Sequence, residues 1–395
     1  MMDGWRKPKL IELAAKKRWA LNGGPFGSKL TTKYYTESGV PVIRGTNLSS
    51  GARFSFADFV WVSEEKADEL LPNNAHPGDL VFTQRGTIGQ VGFIPMDAPF
   101  KRFVISQSQM KLTPDPDQVD ALFLYYYFAS PGTVKTIENL AFAAGVPHIN
   151  LEILRNFEVS LPPLPLQRRI VTILSAYEDL IENSQRRIRI LESIARELYR
   201  EWFVTFRFPG HEKIRRVDSA LGPIPKGWSV KKLGEILELK YGNALKKEAR
   251  RDGDFPVFGS SGVVGYHNAS LVKGPSIIVG RKGNVGSVFW SGDDFYVIDT
   301  AFFVSSSLPL RFLFYDLQTK NFINSDAAVP GLSRHQAYSL ETIIPATSIL
   351  MRFCRMSDAF EQQASTLRRQ VQNLRRTRDL LLPRLLSGQL EIAVT

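Results

Sequence analysis

Residues Pro162 to Trp202 read PPLPLQRRIVTILSAYEDLIENSQRRIRILESIARELYREW. Proline is tolerated in the first turn of a helix and nowhere deeper, so this cluster marks a helix start. After Leu166 the next glycine or proline is Pro209. Apolar residues recur at heptad spacing in two columns. One is Ile170, Tyr177, Ser184, Leu191 and Leu198; the other is Leu174, Ile181, Ile188, Ala195 and Trp202. A seam held for about five heptads predicts a helix of about 50 Å packed along a partner helix.

The partner lies in the same chain. From Pro345 onward the pattern returns at a fixed offset: Ile170 matches Phe353, Tyr177 matches Phe360, Leu191 matches Leu374, and Leu198 matches Leu381. The second seam is Phe353, Phe360, Leu367, Leu374 and Leu381, with Ala364, Val371 and Leu385 opposite; Ser357 and Arg378 interrupt it. The two helices close two copies of a larger repeat. Trp5 with Leu10, Glu12 and Leu13 matches Trp228 with Leu233, Glu235 and Ile236. Gln84-Arg-Gly-Thr-Ile-Gly89 matches Arg281-Lys-Gly-Asn-Val-Gly286, and Val146-Pro-His-Ile149 matches Val329-Pro-Gly-Leu332. The offset shrinks along the chain, as it does when the second copy has shorter loops.

Within each copy short apolar runs alternate with turn residues, and matching short helices are predicted at Asp120–Ser130 and at Arg311–Thr319. The Tyr125–Phe128 run reads as the core face of the first of these. The fold class is therefore α+β, two mixed globules with largely antiparallel sheets. The expected domains are 1–160, the helix 161–204, a linker and second globule 205–344, and the helix and tail 345–395. Thr205–Lys226, rich in proline and glycine, reads as a linker or extended crossover.

The 395 residues carry a formal net charge of +11, which favours an anionic partner, nucleic acid above all. The single cysteine, Cys354, excludes a disulfide framework and a cysteine-rich zinc site. No apolar run is long enough to span a membrane, and the first residues lack the apolar core of a signal peptide. A reducing, cytoplasmic setting is expected. No phosphate loop, dinucleotide fingerprint, HExxH pair, GxSxG elbow, amino-methyltransferase motif or nuclease carboxylate cluster occurs. No metal site and no catalytic residue are expected.

The loops carry what catalysis lacks. Arginine reads guanine, asparagine and glutamine read adenine, and lysine and serine hold phosphate. On that chemistry the DNA-contact candidates in copy one are Lys29, Lys33, Arg44, Asn47, Gln84, Arg85, Thr87 and Gln107. In copy two they are Lys240, Asn243, Lys246, Lys247, Ser260, Ser261, Arg281, Lys282, Asn284 and Arg334. Arg85 and the Arg281-Lys282 pair stand out because both copies place a basic residue just before the equivalent glycine.

Several motifs occur in a telling order: Gly39-Val-Pro-Val-Ile-Arg44, Gly78-Asp-Leu-Val-Phe82, Arg85-Gly-Thr-Ile-Gly89, Leu161-Pro-Pro-Leu-Pro-Leu-Gln-Arg-Arg-Ile170 and Leu380-Leu-Leu-Pro-Arg-Leu-Leu-Ser-Gly388. Nearly the whole chain, duplication included, resembles the specificity subunits of type I restriction-modification systems. The resemblance implies two target recognition domains, joined and separated by two long antiparallel coiled-coil helices and related by a pseudo-two-fold axis. Each domain would read one half of a bipartite duplex target in the major groove, and the coil would set the unread spacer. Half-sites one helical turn apart are about 34 Å apart, within reach of such a coil. The resemblance also implies two modification subunits that carry S-adenosylmethionine and methylate adenine. Restriction subunits that use ATP and magnesium would join them. In copy two Ile344-Pro-Ala-Thr-Ser-Ile-Leu-Met-Arg-Phe353 keeps one proline and lacks the Gln-Arg pair, so its helix start departs from the pattern. Two alternatives stay open on sequence: the recognition subunit of a related system with a fused methyltransferase-nuclease partner, and a coiled-coil adaptor that binds no DNA.

Overall fold

A computed structural model describes residues 4–48, 53–143, 148–323 and 331–390. The chain divides into two compact units, residues 1–185 with 369–395 and residues 186–368. Val146 and Val329, at the start of one matched motif, and the tail beyond residue 390 lie outside the described residues.

The first unit is built on a four-stranded antiparallel sheet, in the order Leu21–Gly23, Gln109–Leu112, Leu80–Thr83, Val91–Phe93. The second unit has the same sheet in the same order: Leu237–Tyr241, Ala301–Ser306, Ser276–Gly280, Val288–Ser291. Leu80–Thr83 and Ser276–Gly280 are buried at every residue and are largely apolar throughout rather than alternating; Gln109–Leu112 is buried as completely although Gln109 and Lys111 alternate with its apolar residues. A second sheet also repeats. In the first unit Val40–Ile43 pairs antiparallel with Val60–Val62 and parallel with Phe103–Ile105. In the second unit Phe255–Gly259 pairs antiparallel with Gly262–His267 and parallel with Tyr296–Val297. Among the described residues only the first unit adds an outer strand on each side, Tyr35–Thr36 and Asn74–Ala75. The sheets are largely antiparallel as expected, with one parallel pair per copy.

The N-terminal motif explains itself at its cap. Glu12 Oε1 accepts from the Lys9 N–H at 3.3 Å, and Glu235 Oε1 accepts from the Lys232 N–H at 3.0 Å. Each closes one orphan donor of a single helical turn, whose buried faces are Leu10 with Leu13 and Leu233 with Ile236. The predicted short helices are Ala121–Ala129, capped by Asp120, and Leu310–Gln318. Tyr125, Tyr126 and Phe128 are core residues. The Thr205–Lys226 segment is less extended than its composition suggests: it holds a turn at His211–Lys213 and a two-stranded pairing of Arg216–Val217 with Ile224–Pro225.

The first long helix runs Leu164–Tyr199 and ends in a π-helical turn, Arg200–Val204; the second runs Thr347–Leu386. The Pro-Pro-Leu-Pro-Leu-Gln motif acts through Gln167, which is almost fully buried. Its Nε2 donates to Pro162 O at 2.8 Å, and its Oε1 accepts from the Asp120 N–H at 2.9 Å. One side chain thus ties the helix start to the short helix.

Within each unit the long helices run antiparallel. In the first unit Ile170 and Leu174 share a core with Leu382, Leu385 and Leu386, and Glu178 pairs with Arg378. In the second unit Tyr199 and Trp202 pack on Phe353, with ring centroids 6.0 and 6.2 Å away, and Glu192 pairs with Arg368 at 2.7 Å. Of the seam, Ile170, Leu174, Ile181, Phe353, Leu367 and Val371 are buried; Tyr177, Ile188, Leu191, Leu198, Phe360, Leu374 and Leu381 are half-buried. The two interruptions are accounted for. Arg378 answers Glu178 across the seam, and buried Ser357 donates to the Tyr315 hydroxyl at 3.5 Å. Cys354 is buried, and desolvation, reinforced by the charge of Asp358, pushes its thiol up to about 11.

Candidate DNA-reading loops

The matched glycine loops follow the third strand of each main sheet. In the first unit the Gln84 and Arg85 N–H groups both donate to Ser108 O, at 2.7 and 3.4 Å, and Gln84 O accepts from the Ile149 N–H at 3.2 Å. In the second unit the Arg281 and Lys282 N–H groups both donate to Thr300 O, at 2.9 and 3.1 Å, and Arg281 O accepts from the Leu332 N–H at 2.7 Å. These three bonds of one loop each have their counterpart in the other.

The glycines hold that shape. Gly89 and Gly286 have φ of 85° and 75°, and a Cβ added there would lie 2.7 Å from Val134 and 2.6 Å from Phe322. A left-handed backbone pressed against a neighbour excludes any other residue. A second matched pair closes the edge strand. The Gly24 N–H donates to Gln109 O at 2.8 Å and the Gly242 N–H to Ala301 O at 3.2 Å, each glycine being too close to a facing carbonyl for a Cβ.

The side chains on this common frame differ. In the first unit Arg85 and Thr87 are exposed and Gln84 is half-buried. Gln107 extends from the adjacent turn and donates through Nε2 to Gly27 O at 2.6 Å and Leu30 O at 2.7 Å. It thereby holds the loop that carries exposed Lys29 beside the glycine loop, and spends its amide N–H groups on the fold. Lys33 is exposed one turn on, its ammonium 4.8 Å from the Tyr34 ring.

In the second unit Arg281 and Arg334 both lie against Tyr241, with guanidinium carbons 5.0 and 4.0 Å from the ring centroid. Tyr241 is half exposed and packs on Phe302 with centroids 5.0 Å apart. Exposed Asn284 donates from Nδ2 to Ser261 Oγ at 3.1 Å, and Lys282 lies half-buried beside it. Asn243 is exposed just past Gly242. Lys240, half-buried, has Glu238 as a weak partner at 3.6 Å. Lys246 and Lys247 are exposed on a separate turn, and no described contact ties them to this cluster.

Two candidates are corrected. Asn47 is fully buried: its Nδ2 donates to Ser55 O at 3.1 Å and Ala57 O at 2.9 Å, while Oδ1 accepts from the Arg44 N–H at 2.9 Å. Its amide is spent on closing a turn, and it has no edge left to offer a base. Ser260 is also buried, with its carbonyl accepting from Ser287 Oγ at 2.6 Å. Arg44 is half-buried and donates to Asp58 O. Sequence reasoning passed over two aromatics. Tyr241 stands between Lys240 and Gly242, and its partner Arg334 is far along the chain, so no local spacing shows the stack. Phe26, 83% exposed beside Lys29, had the signal of an apolar residue in a polar loop.

The family model for the type I restriction modification DNA specificity domain matches residues 3–193 and 225–346, which takes in both loop frames. The chain belongs to the type I restriction-modification specificity subunits. Among similar subunits, the type I restriction enzyme MjaIX specificity subunit of Methanocaldococcus jannaschii is 26% identical over 362 residues, covering 84% of this chain and 82% of that protein. The HindI specificity subunit of Haemophilus influenzae is 21% identical over 405 residues, covering 79% of this chain and 86% of that one. The crystal structure of a type I S subunit from M. genitalium shares the fold at a TM-score of 0.59, with 19% identity and 96% of both chains covered. Among the described residues no helix is long and apolar enough to cross a membrane, and no group of His, Cys, Asp or Glu side chains is placed to hold a metal ion.

Proposed function

We propose that this specificity subunit carries no catalytic site and reads a bipartite duplex, one half-site per globular domain, through the two repeated glycine-loop frames. The recognition domains are residues 1–160 and, with its linker, 205–344; the long helix within 161–204 and the long helix that precedes the tail within 345–395 set the unread spacer. The observation that carries the reading is the repeated frame with unlike side chains. A fixed backbone geometry can present any side chain at one height above a groove, and the pair Gln84-Arg85 against Arg281-Lys282 presents two different donor sets. Unlike half-sites follow. Exposed Lys29, Lys246 and Lys247 supply phosphate contacts, which position the duplex without reading it.

The partners are two modification subunits, which bring S-adenosylmethionine and the adenine-methylating site, and restriction subunits, which bring ATP and magnesium; the assembly works in the cytoplasm. The test is methylome sequencing of a host that expresses this chain with its modification subunit, against a host without this chain. The expected result is a split motif, two unlike halves around a fixed gap, methylated only when the chain is present. A methylated motif that is continuous, or that persists without the chain, refutes the reading.

A further inference from the structure

Arg281 and Arg334 bring two positive charges to one aromatic ring, Tyr241. Both also lie near Phe302, at 5.9 and 5.8 Å. Among the described residues neither guanidinium has a carboxylate partner or a side-chain hydrogen bond. Ring contact holds each cation, through stacking and the ring quadrupole, without using its hydrogen-bonding edge. Arg334 Nε is sealed in the protein without a partner, so what this half-buried side chain shows to solvent is the rest of its fork. Arranged in this way, the two side chains keep donors unspent.

The fold does not require this arrangement. The matching positions in the first unit follow from the shared bonds: Tyr241 corresponds to Gly23, Arg281 to Gln84, and Arg334 to Leu151. Leu151 and Arg334 each open a short helix capped by the residue before, Asn150 and Ser333. The first unit thus builds the same frame with no ring and no charge at these three places. A contact to the phosphate backbone, which is the same at every step of a duplex, gives no reason for such a difference between copies. A contact to a base does. A planar guanidinium with its fork free matches the O6 and N7 acceptors of guanine in the major groove.

We propose that the Tyr241–Arg281–Arg334 cluster reads guanine in the half-site of the second domain, with Tyr241 as the positioning residue that holds both forks. This rests on the proposed half-site reading and adds to it the base that is read. The first domain, with Gly23, Gln84 and Leu151 in these places, reads its half-site by other means.

The test compares the methylomes and salt-series gel shifts of the intact subunit with its modification partner for wild type, Arg334→Ala, Arg334→Lys, Tyr241→Leu and Tyr241→Phe. Wild type is expected to show a G:C pair in one half-site. Arg334→Ala and Arg334→Lys both lower the preference for guanine at that position by about tenfold or more, leaving the other half-site unchanged. Lysine keeps the charge but not the fork, so it decides the matter even where the alanine variant fails to fold. Tyr241→Leu relaxes the same position, and Tyr241→Phe retains it. An Arg334→Lys protein with an unaltered motif, or an Arg334→Ala protein that loses affinity equally for all sequences with a shallower salt slope, makes the cluster a phosphate clamp and overturns the proposal. So does a split wild-type motif with no G:C pair in the half that these variants affect. A wild type that directs no split motif refutes the half-site reading itself, which is a separate result.

Discussion

The loops Gln84–Gly89 and Arg281–Gly286 share the three backbone bonds that anchor them, their left-handed glycines and their place after the third strand, and share only the glycines in sequence. The difference shows which property is held and which is free. The carbonyls of Ser108 and Thr300 take the same two donors, so the chain path is dictated by main-chain bonding. Of the side chains, Ile88 and Val285 pack on the core of their units, while Arg85, Thr87 and Asn284 are exposed. A protein built on this plan changes what it reads without changing how it folds.

The same comparison applies inside the units, and it can be broken there most sharply. In the second unit Asp316 is buried and receives the Tyr199 hydroxyl at 2.9 Å, the Thr342 hydroxyl at 2.7 Å and the Lys320 ammonium at 3.0 Å. In the first unit the neighbouring role falls to the half-buried Tyr127 hydroxyl, which accepts from the Ser160 N–H at 3.2 Å. Asp316→Ala removes the acceptor of all three donors, leaves the Lys320 ammonium only Glu341 O at 3.0 Å, and is expected to cost about 3 kcal/mol. Tyr127→Phe loses one neutral bond and costs about 1 kcal/mol. Urea denaturation measures both, and equal losses would mean that the two copies are tied to their helices alike.

The seam offers the next contrast. Glu178 and Arg378 are largely shielded from water, whereas Glu192 and Arg368 are nearly half exposed. Arg378→Ala leaves Glu178 buried and unpaired, for an expected loss of about 3 kcal/mol, and the double change Glu178→Leu with Arg378→Leu recovers most of it. Arg368→Ala costs under about 1 kcal/mol, and that small effect fades in salt. A double-mutant cycle in which the first pair couples no more strongly than the second would remove the distinction.

On DNA the effects are smaller and more selective. Arg85→Ala is expected to weaken binding of the first half-site by about 1–3 kcal/mol, and Arg281→Ala with Lys282→Ala the second. Gel shifts on duplexes with one half-site scrambled separate the two. Lys246→Ala with Lys247→Ala has the mildest consequence, a uniform loss across sequences and a flatter salt dependence, by about 0.9 in slope for each phosphate contact removed.

Much of this was legible because periodicity and repetition survive divergence. The shrinking offset between copies revealed the duplication, and the heptad columns picked out seam residues that the structure buries wholly or in part. Arg378 read as a flaw in a column, since its partner Glu178 is distant in sequence. Asn47 and Ser260 read as exposed because polar residues near glycines usually face water, but in each case a turn draws the residue inward. The Tyr241 stack depends on three segments meeting at the end of a sheet, and one strand's pattern cannot show what its neighbours bring. The parallel pairs Val42–Val104 and Val257–Tyr296 were hidden for the same reason.

The way the two units divide the chain orders its birth. The second unit is a continuous stretch, residues 186–368, and has all its parts once residue 368 leaves the ribosome. The first unit is made of residues 1–185 and the distant segment 369–395. Its core includes Leu382, Leu385 and Leu386, so Ile170 and Leu174 wait for partners that are translated after the whole second unit. At ordinary elongation rates the delay is roughly 10–40 s. The domain begun before its neighbour is completed after it, and for that interval its half of the coil is an apolar stripe without its partner.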